Sequence, residues 1–284
     1  MPLHVYCCTC LTELYLDSVV PVLDSTPSPL EFYRKFVAPN KPVILSNFTT
    51  NWPALQKWNK DYLRQTIGDL QVTVAVTPNG YADAVNDGYF VMPEERQMTV
   101  AHFLDILSAQ ESDKGVFYIQ KQNSNLTEEF PALLSDVDEE PAWGTEVFGQ
   151  APDAVNMWIG DGRAVTSMHR DHYENLYCVI SGWKQFVLIP PTDLPFVPYE
   201  VYPAAHYKQV DDQFIIEPDK DTGEVPWIAV DPLNPDLEKY PEFAHSRPLE
   251  VTVHAVNLWY DMEFDIKYNY FKFVEELVDC TKKS

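Results

Sequence analysis

Between Ala164 and Lys184 the chain reads AVTSMHRDHYENLYCVISGWK. His169 and Asp171 stand two apart. In an extended strand such residues share a face, so an imidazole and a carboxylate at this spacing can point into one pocket. They are two members of the two-His-one-carboxylate set that holds non-haem Fe(II), and the third donor must come from further along the chain. A lone His-x-Asp is a common tripeptide, so its surroundings matter. Fifteen residues after His169, beyond an apolar segment and a Ser-Gly turn, comes Lys184. Buried in the same pocket, its ammonium would pair with a carboxylate of a bound co-substrate; on an exposed hairpin it would do no chemistry.

The elements that must position these groups follow from local signals. Ser28-Pro29 and Pro39-Asn40 bracket a helix over 27–40. A short strand is expected at 41–47, a helix at 61–67 ending on Gly68, and a β-branched strand at 71–77 closed by the Pro78-Asn79-Gly80 turn. A helix at 104–110 and a strand at 116–120 follow. Residues 155–159 read as a strand. Residues 175–180 and 185–189 read as a hairpin around Ser181-Gly182-Trp183. Residues 249–259 read as a further strand, and Ile266 to Val278 as a helix. Helices in the first half and short strands in the second indicate a mainly β protein with flanking helices, a double-stranded β-helix or jelly roll. The expected division is an atypical segment 1–20, a supporting part 21–150, and a barrel core 151–262 interrupted by a long insertion at 194–247. A helical end at 263–284 completes it.

Composition narrows the function. The 284 residues are 45% hydrophobic and 13% aromatic, which is enough for a packed core. A net charge of −23 works against binding nucleic acid or anionic membrane. It suits either a basic protein partner or a solvated surface. No apolar run is long enough to span a bilayer, and the first sixteen residues lack a basic n-region, so no membrane segment or signal peptide is expected. Five cysteines, three of them at Cys7, Cys8 and Cys10, do not form a secreted disulfide framework. Zinc at those three lacks a second ligand pair. A reducing compartment is expected, cytoplasmic, nuclear or both.

The chain resembles the jumonji-C hydroxylases from about Val20 to its C-terminal helix. The motifs that carry the likeness include NWPALQKW, VAVTPNGYADAV, YIQKQNSNL, PDAVNMWIGDGRAVTSMHRDHYENLYCVISG, VPWIAVDPLNPDLEKYP and VNLWYDMEFDIKYNYF. The resemblance implies a cupin jelly roll, Fe(II), and 2-oxoglutarate as co-substrate with O2. It implies hydroxylation of a lysine side chain in GTP-binding, translation-associated proteins, and a histone-tail endopeptidase activity has been attributed to the family. By position, His169 and Asp171 match two metal ligands, and Lys184 the base that holds 2-oxoglutarate. Tyr118, Thr166, Asn175 and Asn257 match co-substrate pocket residues, and Tyr177 and Trp259 its aromatic lining. The lysine substrate needs a carboxylate for its ammonium, with Glu174 and Asp83 both available. Partners are therefore a protein presenting a lysine, with no nucleic acid and no membrane. A homodimer through the last helix and simple packing of that helix on its own barrel are both open.

The pattern breaks once. The family places about 20 residues, including the distal metal-binding histidine, between the strand ending near His254 and the VNLWYD strand. Here Val251-Thr252-Val253-His254 runs straight into Ala255-Val256-Asn257. The far end of the barrel is therefore expected to be truncated and the third ligand missing. His254 is the best-placed substitute, yet it lies an odd number of residues from Asn257 and should face the other way. Three readings follow: a lysyl hydroxylase, a non-catalytic substrate-binding form, and a peptidase. For the last, neither a Ser-His-Asp nor a Cys-His nucleophile arrangement is legible.

Overall fold

The computed structural model describes residues 18–109, 115–254 and, for the backbone, 262–264. The calls on Cys7, Cys8 and Cys10, on Asn257 and Trp259, and on the helix at 266–278 lie outside the described residues.

Strands dominate, and they curl around one cavity as a cupin-like jelly roll does. A four-stranded antiparallel sheet runs Ile159–Gly160, Val116–Ile119, Gln71–Thr77, Glu94–Thr99. Its central strand Gln71–Thr77 buries Val72, Val74 and Val76 almost completely, the period-2 pattern expected of β-branched residues on a covered face. Against it packs the helix Val100–Ala109, which buries Val100, Phe103 and Leu104 at i, i+3 and i+4 spacing. That helix starts four residues earlier than its sequence suggests. The Thr99 hydroxyl accepts from the His102 amide at 3.2 Å and caps it.

The expected helix over 27–40 is shorter and of two kinds. Ser28 caps an α turn, Pro29–Phe32, which passes into a π turn, Tyr33–Val37. Asn40, at φ +52°, then turns the chain away.

Two corrections concern the barrel. Residues 175–180 and 185–189 do not pair with each other. Only Glu174–Asn175 of the first segment is a strand, and its partner is Met262–Phe264. The second segment forms Trp183–Leu188 and pairs over six residues with Leu249–His254. The Ser-Gly turn signal thus marks a change of sheet. The long insertion at 194–247, which shows little strand periodicity in the sequence, also contains regular strands that line the cavity. Glu200–Val210 is an eleven-residue strand, parallel to Tyr89–Met92 and antiparallel to both Gln213–Pro218 and Glu224–Trp227. Its buried residues, Tyr202, Ala204, Ala205 and Tyr207, do not alternate cleanly because both faces are partly covered. Two prolines, Pro203 within it and Pro226 opposite Val201, obscured the pattern further.

Two buried polar groups tie neighbouring segments together. Asn125, fully buried, donates to the Met157 carbonyl (2.9 Å) and accepts from the Met157 amide (2.7 Å), standing in for a strand partner where the chain approaches the cavity. Asp136, also fully buried, accepts from Lys57 at 2.6 Å, from the Trp58 indole at 3.2 Å and from the Tyr62 hydroxyl. Burial works against its charge, but these donors hold its carboxyl below the usual range.

Candidate metal and co-substrate site

The sheets enclose a cavity of about 1950 Å³. It exceeds the roughly 300–1,000 Å³ of ordinary small-molecule sites, leaving space for more than one occupant. Tyr118, Thr166, His169, Asp171, Asn175 and Lys184 all line it. Residues read from a single sequence at separations of up to 66 positions are thus gathered in one place.

His169 and Asp171 do not lie in a strand as expected. They occupy an irregular segment between the short strands Val165–Thr166 and Glu174–Asn175. Their side chains still converge, with His169 Nε2 3.4 Å from Asp171 Oδ1. His169 Nδ1 lies 2.7 Å from the Ser167 carbonyl, so the Nδ1–H donates there and Nε2 is turned toward the carboxylate. The hydrogen bond to Asp171 raises the imidazole to about 9 against a partial loss of solvation, with the Ser167 carbonyl and the charge of Asp83 adding to the rise. Asn175 Nδ2 donates to Asp171 Oδ2 at 3.0 Å and fixes the carboxylate. The Asn175 Oδ1 atom is buried without a hydrogen-bond partner among the described residues, a site that a bound donor would satisfy.

Lys184 is half-buried on the inward face of its strand. Strand parity explains why. Lys184, Phe186 and Leu188 stand opposite Val253, Val251 and Leu249 on the covered face, while Trp183 stands opposite His254 on the exposed one. His254 therefore points out of the barrel and away from His169. Lys184 Nζ makes one long contact, 3.4 Å to the Tyr118 hydroxyl, and lies 5.5 Å from that ring's centre. Burial pulls its ammonium below the ordinary lysine range. No carboxylate pairs with it among the described residues. Gly160 lets Tyr118 take this position: a Cβ there would come within 2.2 Å of the Tyr118 ring. Trp158 stacks on Tyr177 (5.4 Å), and Tyr177 meets Phe186 edge-on (5.0 Å), forming an aromatic wall.

Three cavity residues carried too little sequence signal to be assigned a part. Ser167 donates its hydroxyl to the Asp83 carbonyl and accepts from the Trp227 indole at 3.0 Å, and Trp227 lies nearly parallel to the His169 ring at 6.2 Å. Gln120 Nε2 donates to Asp83 Oδ2 at 3.4 Å. Asp83 itself is pushed above the usual carboxylate range by burial, with His169 pulling the other way.

The cupin-like domain family matches residues 29–260. The chain is 46% identical to the human bifunctional peptidase and (3S)-lysyl hydroxylase JMJD7, over 95% of this chain and 92% of that one. The chain belongs to the JmjC family of cupin-like proteins. Other JmjC relatives include the lysine-specific demethylase JMJ32 of Arabidopsis thaliana, 38% identical over 94% of this chain and 88% of that one. JmjC domain-containing protein E of Dictyostelium discoideum is 34% identical over 90% and 88%. The alignment to the human protein spans 292 positions but takes in 95% of 284 residues, or about 270, so about 20 positions hold no residue of this JmjC chain.

The donor set is a partial fit to the family's cofactors. A half-buried lysine with no carboxylate partner among the described residues, beside a tyrosine hydroxyl and an unsatisfied amide oxygen, suits a bound carboxylate. For a metal, His169 and Asp171 are adjacent and oriented, but among the described residues no group of three or more His, Cys, Asp or Glu side chains could hold one. Among the described residues the protein offers two of the three donors of a two-His-one-carboxylate site.

Proposed function

We propose that this JmjC chain is an Fe(II)- and 2-oxoglutarate-dependent hydroxylase acting on a lysine side chain of a protein substrate. The observation that carries the reading is Lys184, a half-buried cation lining the same cavity as His169 and Asp171 with no carboxylate paired to it among the described residues. Lys184 and the Tyr118 hydroxyl would hold one carboxylate of 2-oxoglutarate, with Thr166 beside them. His169 and Asp171 would hold the iron, which with 2-oxoglutarate and O2 supplies the oxidising power when bound. The chain's own residues bind and orient. The Ser167 carbonyl keeps the Nδ1 proton of His169 and so directs Nε2 inward. Asn175 keeps Asp171 from turning away. The wall of Trp158, Tyr177 and Phe186 excludes water around the co-substrate.

The two-donor metal half favours a second reading, a binding form that seats co-substrate and lysine without oxidising them. Turnover separates the two. Succinate released in step with lysine hydroxylation, and abolished in His169→Ala, supports the hydroxylase. Saturable 2-oxoglutarate binding with no succinate supports the binding form.

A further inference from the structure

Two half-buried charges of opposite sign face one cavity, and neither forms an ion pair with a lysine, arginine, aspartate or glutamate among the described residues. Lys184 is the cation. The anion is Asp83, which follows the strand Tyr81–Ala82 at φ +53°. That strand runs parallel to Val165–Thr166 with Ala82 opposite Thr166, which sets Asp83 beside Ser167. The Ser167 hydroxyl donates to the Asp83 carbonyl, and the Ser167 carbonyl accepts from His169 Nδ1 at 2.7 Å. Asp83 is therefore tied through a single residue to His169.

Its carboxylate receives only the 3.4 Å contact from Gln120. Other carboxylates on the cavity wall are satisfied or open to water. Glu94 pairs with Arg96, Asp161 with Arg163 and Glu217 with Lys208, while Glu95 is exposed. A half-buried carboxylate on left-handed backbone, with the His169 imidazole as a cationic neighbour but no lysine or arginine paired to it among the described residues, is poorly compensated. Its natural complement is a cation brought from outside. Beside it Phe90 and Trp227, with ring centres 4.7 Å apart, offer an apolar wall to an alkyl stem.

We propose that Asp83 receives the ammonium of the substrate lysine, with Phe90 and Trp227 against its methylenes, so that the site selects a charged lysine over an acetylated one. The inference rests on the reading of the cavity as a 2-oxoglutarate and lysine site. An acetylated lysine would bring Asp83 no ammonium while displacing its water, which is a basis for rejection.

The probes are Nα-acetyl-lysine methylamide and its Nε-acetyl derivative, titrated by NMR against the anaerobic chain with Mn(II) and 2-oxoglutarate. The wild type should bind the charged probe about tenfold or more tightly than the acetylated one. Asp83→Asn should erase that preference while 2-oxoglutarate affinity stays within twofold. Asparagine keeps the Gln120 contact and tolerates positive φ, and a melting temperature at or above wild type shows that the variant is folded. A preference that survives in Asp83→Asn, or a wild type with none, overturns the inference. A wild type that prefers the charged probe but does not bind 2-oxoglutarate overturns the co-substrate reading and leaves the role of Asp83 standing.

Discussion

Replacing Lys184 by methionine should make the chain more stable and unable to hold its co-substrate. Methionine matches the length of the lysine stem and removes only the charge. In the ligand-free chain that charge has one protein contact, the 3.4 Å approach to Tyr118, which is beyond the usual hydrogen-bond range. Val253 stands opposite on the neighbouring strand and is fully buried. Removing a buried group so poorly compensated should stabilise the free protein by about 1–2 kcal/mol, a rise of a few degrees in melting temperature. Loss of the cation from a carboxylate–ammonium pair in a water-poor site costs about 3 kcal/mol, or about a hundredfold in 2-oxoglutarate affinity. Calorimetric titration with 2-oxoglutarate and a thermal melt of each protein read both effects. The opposite signs are the signature. A variant that binds 2-oxoglutarate within threefold of wild type, or that melts below it, would refute the role given to Lys184.

Three further outcomes follow. The metal-free pair His169–Asp171 has an imidazole raised from 6.5 to about 9, so its contribution to stability is complete below pH 6.5 and lost as the pH rises through about 9; urea unfolding across that range should show the decline, and Asp171→Asn should flatten it. Asp136→Ala leaves the Trp58 and Tyr62 donors and the Lys57 ammonium without their acceptor and should cost about 2–4 kcal/mol, the lower part of the range because Lys57 is half exposed, as measured by the shift in the denaturant midpoint. Gly160→Ala drives a methyl into the Tyr118 ring and should destabilise the fold by about 1–3 kcal/mol while weakening 2-oxoglutarate binding; a variant with wild-type affinity would show that the position of Tyr118 does not matter to the site.

What the sequence disclosed, and what it hid, divides along physical lines. The β-branched run at 71–77, the Ser28 cap and the Gly68 stop are local signals, and each became the element expected. The His169–Asp171 pair was found by a strand argument, yet the segment is irregular. The pair converges because Ser167 and Asn175 fix the two side chains, which spacing cannot show. Strand pairing was the weakest reading. The Ser181-Gly182 turn suggested a hairpin, but Trp183–Leu188 finds Leu249–His254 more than sixty residues away, a choice made by which faces can be buried. The same alternation that sends Lys184 inward sends His254 outward, whereas in the sequence its direction was read through Asn257, which lies outside the described residues. Glu200–Val210 was missed because prolines and two-sided burial removed the alternation that marks a strand. Asp83 was visible only as one of two candidate carboxylates; its lack of a lysine or arginine partner among the described residues becomes evident when its neighbours are in place.

The most direct measurement is an anaerobic titration of the metal-free chain with Mn(II), in the presence and absence of 2-oxoglutarate, for wild type and His169→Ala. The hydroxylase account predicts one Mn(II) per chain, bound more tightly with 2-oxoglutarate present and lost in His169→Ala. Mn(II) binding that ignores both 2-oxoglutarate and His169 would contradict it.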